Sequence, residues 1–225
     1  MATTMVMATR TGMTTITELA KLLQLASPAL PVGAYSYSQG LEAAIEAGIV
    51  RDAASAKEWI GDVLALTVGQ MEAAVVFHSM AVDAAKINGM FLASRETAEL
   101  RAETVQMGYS LNRLLPELGL QRLECDEPSF PAVFGHAARQ WAIAPKAAVA
   151  AYLWSWLENQ VMAAVKTVPL GQTEGQKMLA ALACAIEPLC ERAAALEADD
   201  LPNFAPRLAI LSAMHETQYS RLFRS

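Results

Sequence analysis

Apolar side chains recur every three or four residues along most of the chain, which is the period of an α-helix, and the alternation typical of a strand is nearly absent. The clearest case begins at Pro145, where Val149, Leu153 and Leu157 mark a broad apolar face that continues to about Pro169. Helix-favouring Ala, Leu, Met, Glu and Gln are abundant throughout. The pattern therefore predicts an all-α fold, a single-domain bundle of about eight to ten helices with no sheet.

The first predicted helix runs from about Thr15 to Ala26. Ile16, Leu19, Leu23 and Ala26 fall on one apolar stripe of this helix. The prolines of the following segment, SPALPVGAYSYS, prevent the helix from continuing, so we expect an ordered loop there and a short helix over SQGLEAAIEA.

Capping residues predict further helix boundaries. Asp52 or Ser55 is expected to cap the next long helix, because both side chains can accept a bond from a free backbone N–H. Ser94 is expected to open another helix. The T-x-x-Q pattern of Thr173 and Gln176 predicts a capping box ahead of a long apolar run.

These boundaries divide the chain into three regions. Residues 1–13 are expected to form a disordered N-terminal tail, and residues 14–214 an all-helical domain whose last helix covers about Arg207 to Met214. Residues 215–225 then form a C-terminal tail. Because its aromatic, apolar and basic side chains are unusual in a disordered segment, we expect the tail to order on a partner. The alternative is a tail that folds back on its own domain.

The composition predicts a soluble protein with a sizeable core. Hydrophobic residues make up 54% of the 225 residues and charged residues only 18%, which excludes a disordered chain. Such a composition leaves surplus apolar surface, so we expect an oligomer or a permanent partner. The net charge of −6 and the lack of a basic patch argue against nucleic-acid binding.

Cysteine usage and apolar runs predict a cytoplasmic location without membrane attachment. The three cysteines, Cys125, Cys184 and Cys190, form no CxxC motif and suit a reducing compartment. Residues 1–13 lack the continuous apolar core of a secretory signal. The apolar run AAVAAYLWSWL is too short to span a bilayer and is better explained as a buried helix.

The sequence contains no convincing catalytic motif. The nucleotide-binding patterns GxxxxGK[ST] and GxGxxG are absent. The loop GAYSYSQG lacks the GxSxG pattern of a nucleophile elbow, so its Ser36 and Ser38 are expected to cap the following helix or to bond local backbone. His78, His136 and His215 each stand alone, without the spacing of a zinc site. We therefore predict a protein that is not an enzyme, with no cofactor and no stable metal site.

Carboxylates at helical spacing are the remaining candidates for chemistry. Glu96, Glu99 and Glu103 lie beside Arg95 and Arg101. Charges of opposite sign at this spacing are typical of a solvated helix face with local ion pairs, and we interpret them in this way.

Two internal segments carry polar and aromatic residues that a plain helical bundle would not need. Tyr35, Tyr37 and Gln39 lie in a Pro/Gly-containing loop, where tyrosines are good interface anchors; the alternative is a loop packed on its own core. Lys166, near the end of an apolar helix, and Gln172 belong to a polar border that suggests a contact surface. The simpler account of Lys166 is a favourable interaction with the helix dipole.

The C-terminal tail is the third candidate recognition segment. Its aromatic and basic residues are expected to bind a partner: Tyr219, Arg221, Phe223 and Arg224.

The segment LLQLASPALPVGAYSYSQGLE, residues 22–42, closely resembles the N-terminal signature of the UreF family of urease accessory proteins. QMGYSLNRLLPEL, FPAVFGHAA, ENQVMAAVKTVPLGQTEGQ and QYSRLFRS resemble further blocks of that family, in the family's order. The resemblance covers nearly the whole chain after residue 13. One mild departure is Ala34 after Gly33, where the family often has Gly or an aromatic residue.

The resemblance implies an all-α homodimer in a complex with UreD (also called UreH) and the GTPase UreG, docked on apo-urease. In this complex the protein is a chaperone and adaptor that couples GTP hydrolysis to nickel insertion, and the complex handles the nickel. The resemblance assigns the tail to UreD binding, Lys166 to a UreG contact, and the loop from Tyr35 to Gln39 to partner or dimer contacts.

Two other functions are open at this stage. A thiaminase-like helical hydrolase would need a catalytic cysteine, and Cys125 within ECDE is the candidate, although its acidic neighbours should raise the thiol pKa. A stimulator of GTP hydrolysis would instead act through an inserted arginine, such as Arg221 or Arg224.

Overall fold

The structure, a computed structural model, describes residues 15–81 and 83–225, and these form α-helices joined by loops, with no strand among them. The predicted disordered tail, residues 1–13, lies outside the described residues. In chain order the helices are α1 (Ile16–Ala26), α2 (Leu41–Glu46), α3 (Ala53–Ser79), α4 (Ala84–Ala93), α5 (Ala98–Leu114), α6 (Phe130–Gln140), α7 (Pro145–Thr167), α8 (Gln172–Ala183), α9 (Ile186–Ala195) and α10 (Pro206–His215). The predicted all-α bundle of about eight to ten helices without a sheet is confirmed for this part of the chain.

Helix α7 is the centre of the bundle and packs against α1, α3, α6, α8 and α9. Leu153 and Leu157 on its inner face are completely buried, and each such side chain stabilises the fold by about 2 kcal/mol. The helix begins at Pro145 and ends at Thr167, as the two prolines at its ends predict.

Helix α1 turns a different face to the core than its predicted stripe suggests. Thr15 caps it, since the Thr15 hydroxyl accepts a bond from the amide of Glu18. Leu22 and Leu25 are buried, whereas Ile16, Leu19 and Leu23 of the predicted stripe are exposed and its last member, Ala26, is half-buried. The helix therefore has apolar side chains on both faces, and one set faces outward.

Helix α3 begins where the capping residues predict, because Asp52 Oδ1 accepts a bond of 2.8 Å from the amide of Ser55. Its middle third, Leu64–Glu72, is π-helical. Gly69 lies in this stretch, and a Cβ atom there would lie 2.7 Å from the side chain of Leu189 on α9. The glycine lets the two helices approach this closely.

Helix α3 also meets the length and composition of a membrane span, the one described helix that does so. Within the protein, 67% of its apolar window is buried. This burial is typical of a core helix.

The predicted helix start at Ser94 is wrong. Ser94 follows the last residue of α4, and its hydroxyl donates to the carbonyl of Phe91 at 2.7 Å. Helix α5 starts after Thr97, whose hydroxyl accepts the amide of Leu100 at 3.2 Å. Both residues can bond to the backbone, but Thr97 precedes the helix and Ser94 belongs to the preceding helical end.

The predicted capping box of Thr173 and Gln176 does not form. Helix α8 starts at Gln172 after Gly171, so Thr173 already lies in its first turn, and no side chain caps this end. Backbone conformation and not the T-x-x-Q pattern defines this boundary.

The tail packs against the chain's own domain. Helix α10 extends one residue further at each end than predicted and ends at His215. Beyond it, Phe223 and Ser225 are buried. This arrangement corresponds to the alternative in which the tail folds back, while partner binding by its exposed side chains stays a prediction.

Candidate functional site

A cavity of about 360 Å³ opens between the end of α1, the loop that follows it, α5 and α7. Four of the predicted recognition residues line it: Tyr35, Gln39, Lys166 and Phe223. The loop, the end of α7 and the tail are far apart in the sequence, and the fold brings them together here. The walls of the cavity are mainly apolar and include Leu25, Leu30, Val32, Leu100, Met107 and Phe130.

A buried ion pair forms part of the cavity lining. Glu72, the last residue of the π-helical stretch, accepts a bond from Arg95 Nη1 at 3.3 Å and a second from the hydroxyl of Tyr152. Burial, reinforced by the nearby Glu72 carboxylate, raises the pKa of Tyr152 well above 10, so this hydroxyl stays a neutral donor. The guanidinium of Arg95 also lies over the ring of Phe91, 4.5 Å from its centroid.

Glu103 is a second buried carboxylate of the cavity. Its Oε1 accepts from Gln39 Nε2 at 2.7 Å, and its Oε2 accepts from the hydroxyl of Ser225 at 2.6 Å. Gln39 in turn accepts from the indole N–H of Trp156 on α7. Burial raises the pKa of Glu103 to about 7, although these two hydrogen bonds act in the opposite direction. The loop, α5, α7 and the tail thus share one polar network.

The backbone of the tail is held by the loop and α2. The amides of Leu222 and Phe223 donate to the two carboxylate oxygens of Glu42, at 2.7 and 2.9 Å. Ser38 donates to the backbone oxygen of Ser225 from its amide at 2.8 Å and from its hydroxyl at 2.6 Å. Ser38 is buried, and its hydroxyl also accepts from the amide of Glu42 at 3.3 Å, which is the predicted bond to local backbone. Its two bonds to Ser225 are long-range and were not predicted.

Tyr37 and Arg224 meet beside this tail segment. Tyr37 is buried, and burial raises its pKa while a hydrogen bond with Arg224 acts to lower it. The amide of Arg224 donates to the carbonyl of Ser36 at 2.8 Å. The side chain of Arg224 is otherwise exposed, so its charge is available at the surface.

Comparison with known proteins identifies the family of this chain. A family model described as UreF matches residues 50–183. The chain belongs to the UreF family. Proteins named urease accessory protein UreF are similar over nearly the whole chain: that of Azoarcus sp. (strain BH72) is 55% identical over 223 residues, covering 92% of this chain and 95% of its own.

Two further UreF proteins show the same extent of similarity. The one from Dechloromonas aromatica (strain RCB) is 52% identical over 228 residues, covering 95% of this chain and 100% of its own. The one from Methylobacillus flagellatus is 49% identical over 222 residues, covering 92% and 98%. The resemblance noted in the sequence is therefore confirmed, and the role of a urease accessory protein follows from family membership.

The remaining predicted recognition residues of this UreF-family chain lie outside the cavity lining. Gln172 at the start of α8 and Tyr219 in the tail are exposed. Arg221 donates to Glu99 Oε1 at 2.5 Å. An arginine inserted into a GTPase would first have to leave this ion pair, which makes Arg221 a poorer candidate for that role than Arg224.

The prediction of a solvated acidic face on α5 is wrong. Glu103 is buried, and Glu99 bonds to His215 at 2.7 Å as well as to Arg221. Both carboxylates pair with residues more than a hundred positions away, and the local charges gave no sign of this. The roles of Glu42, Glu72 and His215 were likewise missed, because their partners lie on other helices or in the tail.

Neither the metal site nor the catalytic cysteine considered above gains support from residues 15–81 and 83–225. These residues hold no group of three or more His, Cys, Asp or Glu side chains that could bind a metal ion. Burial raises the pKa of the Cys125 thiol, and Asp126 and Glu124 raise it further. Because the thiolate is the nucleophilic form, this raised pKa lowers the reactivity expected of a hydrolase nucleophile. Burial also raises the pKa of Cys190 to about 11.

Proposed function

We propose that this UreF-family protein is a non-catalytic adaptor and chaperone of urease maturation in the cytoplasm. It bridges UreD (UreH) and the GTPase UreG on apo-urease and couples GTP hydrolysis to nickel insertion, with the nickel handled by the complex. The observation that carries the proposal is the convergence of three recognition segments, represented by Tyr35, Lys166 and Phe223, around one cavity. When segments that bind different partners lie side by side, binding of one partner can change how the protein binds another.

The tail is proposed as the UreD-binding surface. Tyr219 and Leu222 are among the most exposed large side chains of the protein, and Arg224 is exposed beside them. Phe223 and Ser225 of the same segment are buried and hold it against the domain. Aromatic, apolar and arginine side chains on an ordered base favour tight binding, because little entropy is lost when the partner arrives.

Lys166 and Gln172 are proposed as contacts for UreG. Both are exposed, and they flank the short connection between α7 and α8. Lys166 also lines the cavity, as Tyr35 does. Its ammonium group is free of any ion pair within 4 Å among the described residues, so it is available to a negatively charged partner group.

A homodimer is part of the proposal. The exposed stripe of Ile16, Leu19 and Leu23 on α1 supports an oligomer, because a monomer rarely leaves a row of large apolar side chains in water. Closed two-fold dimers are the commonest way to cover such a surface.

Co-expression with UreD and UreG, followed by size-exclusion chromatography, tests the proposal. The double variant Tyr219→Ala, Leu222→Ala should lose UreD while the free protein keeps its helicity, because both side chains are exposed. Point variants are preferable to deletion of the tail, since deletion would also remove the buried Phe223. Lys166→Ala should retain UreD and lose UreG or change its GTP turnover.

The matched control is Leu66→Ala, an exposed apolar side chain of α3 far from these segments in sequence, which should leave all complexes intact. A purified protein that stays monomeric and binds neither partner would contradict the proposal. Turnover of a small molecule by the chain alone would do so as well.

A further inference from the structure

His215, the last residue of α10, is completely buried between two carboxylates. Its Nδ1 lies 2.7 Å from Oε2 of Glu99 on α5, and its Nε2 lies 3.3 Å from Oε2 of Glu42 on α2. An ionised carboxylate can only accept hydrogen bonds, and a neutral imidazole carries a single N–H. The imidazolium, with a proton on each nitrogen, is the form that donates to both ionised carboxylates.

The charges around the ring point to the same form. Glu42 and Glu99 bring two negative charges, and Arg221 of the tail brings one positive charge through its bond to Glu99. Glu42 lies on α2, Glu99 on α5 and Arg221 in the tail, and among the described residues these are the charged side chains within ion-pair or hydrogen-bond distance of His215 or of its two carboxylates. With a neutral ring the cluster would hold a surplus buried negative charge, which is costly. With the imidazolium the four charges balance.

The carboxylate that faces His215 also holds the tail. Oε2 of Glu42 accepts from both the His215 ring and the amide of Phe223, and Oε1 accepts from the amide of Leu222. If the ring loses one proton, a nitrogen lone pair faces a carboxylate oxygen, and attraction becomes repulsion. The two carboxylates are then no longer held in position as acceptors for the tail.

We propose that His215 is a positioning residue whose protonation controls docking of the tail. The imidazolium aligns Glu42 and Glu99 as acceptors for residues 221–223, and loss of one ring proton releases this segment. The proposal goes beyond the adaptor function, because it concerns the chain by itself and holds for any partner of the tail. Glu103, which bonds Ser225 and has a pKa of about 7, adds a second pH dependence that the test must separate.

Hydrogen exchange of the Leu222 and Phe223 amides in the full chain measures docking directly, because both amides donate to Glu42. After correction for the intrinsic pH dependence of exchange, their protection should fall about tenfold or more as the His215 ring loses one proton. Nitrogen NMR of the ring follows that loss independently. A ring that carries a single proton wherever the tail amides are protected would overturn the proposal.

Three variants distinguish this mechanism from a merely structural role. His215→Gln should lower protection about tenfold at low pH and remove its pH dependence. Because a variant of a buried residue can fail to fold, Glu99→Gln provides a second test: a singly protonated ring satisfies the remaining carboxylate, so docking should become independent of pH. In Glu103→Gln, the Leu222 and Phe223 amides should keep the part of the pH dependence that follows protonation of the His215 ring.

His136→Gln serves as the histidine control, because this half-buried residue of α6 bonds to the carbonyl of Gln121, away from the tail. It should behave as the wild type does. The proposal fails if Glu99→Gln retains the wild-type pH dependence, or if Glu103→Gln or His136→Gln abolishes it.

Discussion

Ser225 donates a hydrogen bond of 2.6 Å to Oε2 of Glu103, although the two residues are 122 positions apart in the chain. The bond joins the tail to α5 at the edge of the cavity. It reaches a carboxylate whose pKa burial raises from 4.5 to about 7. The Glu103 carboxylate therefore contacts the tail, lines the cavity and binds a proton near neutral pH. Its protonation should contribute to the pH dependence of protein stability.

The first prediction concerns Glu103→Gln. Between pH 4.5 and about 7 the folded protein binds one proton more than the unfolded chain at this site, so Glu103 lowers stability as pH rises through this window. Below the window both states are protonated, and above it both are ionised. The variant should therefore gain stability over the wild type with rising pH, by on the order of 3 kcal/mol in total.

Denaturant unfolding of both proteins at several pH values between about 4.5 and 8 checks this prediction. The informative quantity is the difference in unfolding free energy between variant and wild type, because other titrating groups cancel in it. A difference that stays constant across the window would contradict the assignment.

The second prediction contrasts Phe223→Ala with Leu222→Ala. Phe223 is 7% exposed and Leu222 is 77% exposed, although the two are neighbours. Loss of the buried ring should lower the free energy of unfolding by about 3 kcal/mol, whereas Leu222→Ala should change it by less than about 0.5 kcal/mol. Thermal and denaturant unfolding of the isolated protein measure both, and similar effects of the two variants would exclude the docked tail.

The third prediction contrasts two arginines. The Arg95 and Glu72 side chains are 6% and 8% exposed, whereas those of Arg101 and Glu127 are 41% and 46% exposed. Arg95→Ala leaves a buried carboxylate without its cation and should lower the free energy of unfolding by about 3–5 kcal/mol. Arg101→Ala should cost less than about 1 kcal/mol. Denaturant unfolding distinguishes the two, and equal effects would show that the Arg95 pair is not enclosed.

The fourth prediction concerns two helical glycines. A Cβ on Gly108 of α5 would lie 2.0 Å from the carbonyl oxygen of Pro128, whereas a Cβ on Gly89 of α4 would meet nothing within 4 Å. Gly108→Ala should therefore force the backbone apart and destabilise the protein by about 3 kcal/mol or more. Gly89→Ala should raise stability by up to about 1 kcal/mol, because alanine favours a helix. Melting temperatures that shift in the same direction would contradict this packing.

Helices were predictable where the apolar period and a helix-breaking residue agree. Pro145 and Pro169 bound α7 in the sequence as in the structure, and Asp52 caps α3. The outward stripe of α1 was not predictable, because Leu22 and Leu25 offer a second apolar face at the same spacing as Ile16, Leu19 and Leu23. The sequence alone does not say which face meets α7.

Some residues of the candidate site were predictable from the sequence and others were not. Tyr35, Gln39, Lys166 and Phe223 could be named from the sequence because aromatic and polar residues stand out in apolar surroundings. Glu103 could not, since its partners Gln39 and Ser225 lie 64 and 122 positions away. Burial of a charged group depends on such distant partners, and local spacing carries no information about them.

Trp156 lies at the junction of these elements, with its indole N–H bonded to Gln39 and its ring on the cavity wall. Indole emission moves to longer wavelengths when water replaces such a partner. The protein therefore contains an intrinsic fluorescent reporter at the place where loop, α7 and polar network meet. Once the other tryptophans are replaced, a shift in the emission maximum of Trp156 would report the binding of a partner without an attached dye.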